Sequence, residues 1–147
     1  MKSKAPLLLM EQMVMLLVFA LAAALCVQAF VKSDAISARG EARDQAVIAA
    51  QSAAEMIRLG GGSPEKALRG AADELSGSIS EDGALRLYYD AEWHPTPDAS
   101  DENGYCLMAE PSAEQEPGLS QVTLTVSSPE EALVSFTIAW QSPLDGN

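Results

Sequence analysis

One carboxylate stands inside a long apolar run. From Leu7 to Phe30 the chain reads LLLMEQMVMLLVFALAAALCVQAF, and Glu11 is its single charge. A charge in such a setting is costly unless it meets a partner or reaches polar surroundings. Two roles are therefore open to Glu11: pairing with a cation, or snorkelling to headgroups one turn from the end of the run. Neither is catalysis. Catalytic chemistry has few footholds elsewhere. The single histidine, His94, lies beside Pro95, and no recognisable serine or cysteine nucleophile motif accompanies it. Cys106 begins a short apolar segment with nothing basic adjoining it, which suits a small buried hydrophobe better than a nucleophile. Asp98, Asp101, Glu102 and Asn103 gather oxygen ligands in one segment. Their spacing lacks the alternating ligands and central glycine of a calcium loop, so solvated charge is the plainer reading. Gly60 to Gly62 lack the lysine and preceding strand of a phosphate loop. No catalytic, cofactor-binding or metal-ligating residue is assigned, and no enzyme activity or cofactor is expected.

The run that holds Glu11 is long enough to cross a bilayer, which takes about 20 residues of helix. Lys2 and Lys4 precede it, and this basic flank places the N-terminus in the cytoplasm and the body of the chain outside. Two processed forms compete with an anchor. A lipoprotein signal wants a small residue before Cys26, where Leu25 stands; an ordinary signal peptidase could cut before Phe30, although Glu11 and Gln12 interrupt the apolar core near its start. The helical pattern continues past the membrane. VKSDAISARGEARDQAVIAAQSAAEMIRLGGG is alanine-rich and free of proline, with Val47, Ala50, Ala54 and Ile57 at helical spacing. The expectation is one helix from Leu7 to Leu59, about 80 Å long at 1.5 Å per residue. Residues 7–30 would lie in lipid and residues 31–59 outside it, with Gly60 to Gly62 closing the helix.

The chain's 147 residues leave room for one modest domain beyond this helix. Its charge is lopsided: the first thirty residues carry +1 and the remainder −13, for a total of −12. So acidic a body should not bind nucleic acid. Cys26 and Cys106 imply no disulfide framework. In the head, residues 63–147, Ser63 and Pro64 begin a short helix to Leu75 with an Ala67, Leu68, Ala71, Ala72, Leu75 stripe. After a turn the period changes to two, and Leu85, Leu87, Tyr89, Ala91 and Trp93 predict a half-buried strand that leaves His94 at its end. HPTPDASDENG reads as a surface loop, Cys106 to Ala109 as a short strand, and Pro111 to Gly118 as another loop. Val122 to Val126 and Val134 to Trp140 alternate strictly and predict a hairpin. The sheet is too small to bury its apolar face alone, so the upper half of the long helix must cover it. The fold class is α+β: a long N-terminal helix packed on a small antiparallel head.

A short basic leader, MKSKAP (residues 1–6), then LLLM, then Glu11, then a long apolar helix leading into such a head resembles the type IV pilin and pseudopilin family. In that family a prepilin peptidase cuts before the first apolar residue, and a glutamate is the fifth residue of the mature chain. The resemblance places the junction between Pro6 and Leu7, where the family usually has glycine and often phenylalanine, and makes Glu11 the family glutamate. It implies that Glu11 pairs with the freed amine of a neighbouring subunit; with an uncut leader, Lys2 or Lys4 of a neighbour is the nearby cation. It implies a single-pass membrane subunit of a type II secretion or type IV pilus-like filament, in contact with lipid and with other pilin-like subunits through its helix. A membrane-tethered extracytoplasmic binding module that never enters a filament is the alternative.

Overall fold

The computed structural model describes residues 4–99, 101–113 and 116–141. Residues 1–3 of the expected leader, Lys2 among them, and the last six residues of the expected head lie outside them. The chain divides into two compact units, one ending at Glu41 and one beginning at Ala42.

Helix α1 runs Ala5–Gly60, 56 residues without a break. It begins two residues before the expected start because Pro6 fits the first helical turn, where its missing N–H and fixed φ cost nothing. The amide of Leu8 donates to the Lys4 carbonyl at 3.3 Å. The helix ends where glycines permit a left-handed turn, with φ of 53° at Gly61 and 75° at Gly62. Gly60 also lets the chain approach the helix that follows: a Cβ there would lie 3.1 Å from the Ala67 Cα.

In the unit from Ala42 onward, α1 contributes a stripe of small residues, Ala46, Ala50, Ala53 and Ala54, finished by Ile57. All are buried, in one cluster with α2 and the sheet. Helix α2 spans Pro64–Leu75 as expected. The Ser63 hydroxyl accepts from the Lys66 amide at 3.4 Å, and Ser76 leaves the helix in the left-handed region. Ala67, Leu68, Ala71 and Ala72 form its buried side, at the i, i+1, i+4, i+5 spacing of one helical face.

Six strands follow: β1 Ser78–Ile79, β2 Leu85–Tyr89, β3 Pro95–Thr96, β4 Tyr105–Pro111, β5 Leu119–Ser127 and β6 Ala132–Gln141. They form one antiparallel sheet in the order β1-β2-β4-β5-β6, with β3 pairing β2. The expected β5–β6 hairpin is present, with Val122 opposite Ile138 and Leu124 opposite Phe136. Leu85, Leu87, Leu107, Ala109, Val122, Leu124 and Val126 face the helices and are buried. Thr123 with Thr137 and Thr125 with Ser135 hydrogen-bond across the other face, at 3.0 Å each. The fold is α+β: a long apolar N-terminal helix and a small six-stranded antiparallel sheet.

The strand expected from Leu85 to Trp93 stops at Tyr89. Asp90 ends it, its Oδ1 accepting from the amides of Glu92 at 3.0 Å and His94 at 2.8 Å. That side-chain turn out-competes the ladder. Trp93 then takes a φ of 66°, so alternation in the sequence continues while the strand does not. The expected loop from His94 contributes β3, and the expected turn from Ser76 to Gly83 contributes β1. Pro111 closes β4 rather than opening a loop.

Candidate functional site

Within the unit ending at Glu41, the segment Leu7 to Phe30 is a regular, fully exposed helix. It is long and apolar enough to cross a membrane. At 1.5 Å per residue these residues extend about 35 Å, slightly more than the hydrocarbon thickness. Leu7, Leu16, Val18, Phe19, Leu25 and Phe30 are each more than half exposed. Water would not tolerate such a surface; lipid or other helices would. Glu11 is exposed on this segment, one turn after Leu7 and one before Met15. Ala22, Ala23 and Ala24 give a stretch where another backbone can come close.

The peptide bond between Pro6 and Leu7 lies inside the first turn of α1. A protease that binds its substrate extended must open that turn, and Pro6 offers it no N–H.

The remaining residues weighed for chemistry are dispersed. His94 is exposed in the turn between β2 and β3, past the point where the expected strand stops, and its Nδ1 lies 3.2 Å from the Asp90 carboxylate. The backbone bond from His94, together with the ring, holds the Asp90 carboxyl below the usual aspartate range. This is turn architecture. Asp101 is likewise engaged: its Oδ2 accepts from the Ala91 amide at 3.1 Å and its Oδ1 from Asn103 at 3.0 Å. Asp98, Glu102 and Asn103 are exposed. Among the described residues no group of three or more histidine, cysteine or acidic side chains is gathered as a metal site.

Cys106 is half-buried in β4, opposite Tyr88 and Ser127. Nothing basic adjoins it in sequence, but Arg86 on β2 is close enough across the sheet to favour its thiolate. Burial outweighs that influence and pushes the thiol up, away from a reactive state. Cys106 also borders an open cavity of about 250 Å³ with Tyr88, Tyr89, Asp98 and Tyr105. Trp93 stacks on Tyr105 with centroids 4.0 Å apart. The sequence gives no sign of this aromatic group, because it depends on the turn that swings Trp93 back over the sheet.

At the junction between α1 and α2 the Gly62 carbonyl accepts from Ser120 Oγ at 2.9 Å and from Trp140 Nε1 at 3.0 Å. These two bonds tie the glycine turn to β5 and β6. Compared with known protein families, curated proteins and solved structures, the chain matches none.

Proposed function

We infer that this chain is a pilin-like structural subunit of a type II secretion or type IV pilus-like filament, held in the cytoplasmic membrane before assembly. The observation that carries the reading is α1 itself. A single helix supplies an apolar, wholly exposed segment with one carboxylate near its start, and later supplies a buried wall of the folded head. A simple anchor needs only the first of these. In this reading residues 7–30 cross the membrane with the N-terminus in the cytoplasm, and the acidic head is extracytoplasmic, in keeping with Lys2 and Lys4. The partners are lipid, other pilin-like subunits through α1, and a prepilin peptidase acting at Pro6 and Leu7. Nucleic acid is not among the head's partners, and the role is structural, not enzymatic.

Glu11 has a role in assembly. Inside a bundle of apolar helices its charge would be stabilised by an amine of a neighbour, and this pairing would fix the axial register between subunits. The test is Glu11→Ala, read by fractionation. Accumulation in the membrane with loss from the filament is the expected result. Normal incorporation of the variant would overturn the assembly role and favour a tethered binding module.

A further inference from the structure

We propose that the free edge of β6 takes up an extended segment of another protein as a further strand, antiparallel to β6 and basic at its C-terminal end. The proposal concerns the head alone and does not depend on filament assembly.

Among the described residues β6 pairs only with β5, so one side of its backbone is open to a further ladder. The strand is ten residues long, ALVSFTIAWQ, with no charge, proline or glycine. Edges are ordinarily protected by brevity, charge, proline or a bulge. Here the only irregularity among the described pairs is at the start of β6, where Leu133 stands between the partners of Ser127 and Val126, and the ladder from Val134 to Gln141 is regular.

The core is also unfinished at this edge. On β5 the inward residues Val122, Leu124 and Val126 are completely buried, whereas Val134, Phe136, Ile138 and Trp140 on β6 are only partly so. A cavity of about 400 Å³ opens at the C-terminal end of β6, lined by Glu55, Arg58, Leu59 and Trp140. Leu59 is 82% exposed there. Strand addition draws affinity from main-chain bonds and specificity from pockets of this kind.

Charge selects the occupant. The chain after residue 30 carries −13, which opposes pairing with a second copy. Glu130 is exposed just before β6, so an antiparallel strand ends beside it and fits best with lysine or arginine at that end. Its opposite, N-terminal end reaches Trp140, where an apolar side chain would fill the space beside Leu59.

The experiment uses the full chain in detergent micelles and a peptide of leucine, alternating threonine and valine, and two C-terminal lysines. The expected result is saturable shifts of the amide resonances of residues 132–141. Methylating the peptide nitrogens that face β6 should weaken binding at least about tenfold, as several hydrogen bonds are lost. Glu130→Lys should weaken it about two- to fivefold, the scale of an exposed ion pair. Leu59→Ala, at an exposed site, should weaken binding of the leucine peptide but not of one beginning with alanine. Absence of shifts along β6, or equal affinity of the methylated peptide, would overturn strand addition. Equal affinity of a peptide ending in two glutamates, or self-association through residues 132–141, would overturn the basic partner.

Discussion

Docking of α1 on the sheet rests on alanine. Ala46, Ala50 and Ala53 are at most 1% exposed, whereas Ile48, on the other side of the same turn, is 57% exposed. Ala50→Leu adds three carbons where the helix meets the core, and such overpacking costs about 1–3 kcal/mol. For a unit of roughly a hundred residues that lowers the melting temperature by about 4–12 °C. Ile48→Ala removes as many carbons from the exposed side and should change stability by less than about 0.5 kcal/mol. The assay is thermal unfolding of the full chain in detergent, followed by near-ultraviolet circular dichroism of Trp93 and Trp140. Equal melting temperatures for Ala50→Leu and the wild type, or a larger loss from Ile48→Ala, would refute the packing of this helix face.

Replacing Ser120 with alanine and Trp140 with phenylalanine removes both donors to the Gly62 carbonyl. Each single change should cost about 1 kcal/mol, and the double variant more than the sum, because only then is the acceptor left unpaired; denaturant unfolding of the four proteins checks this. Since the Asp90 carboxyl is held below its ordinary range, its turn contributes stability above the unfolded-state value and loses it as pH falls through the lower folded value. Trp93 fluorescence should therefore change in acid, below the usual aspartate range, and Asp90→Asn should abolish that transition. With its thiol raised by burial, Cys106 should react with iodoacetamide at pH 8 more slowly in the folded chain than in urea, and equal rates would contradict its placement.

Long, periodic elements were legible in the sequence. The α1 pattern, the Ser63-Pro64 start of α2 and the β5–β6 alternation each express one rule over many residues, and the structure bears them out. Short-range chemistry was not. Leu85 to Trp93 alternates throughout, yet a single aspartate that bonds forward to His94 ends the strand after five residues. Strands β1 and β3 have two residues each and exist only because β2 offers them an edge. For the site, Glu11 is conspicuous as a lone charge in apolar sequence. Arg86 beside Cys106, and Trp93 over Tyr105, depend on cross-strand register and on a turn, which no spacing in the sequence encodes.

The proposed filament role requires that α1 leave the bilayer and enter a filament through its apolar half. Its most direct test is to shear surface filaments from cells, free them of membrane, and look for peptides spanning Leu7 to Phe30 by mass spectrometry. These peptides are expected in the filament fraction, joined to the head and depleted by Glu11→Ala. Their confinement to the membrane fraction, with filaments present but lacking the chain, would contradict that role.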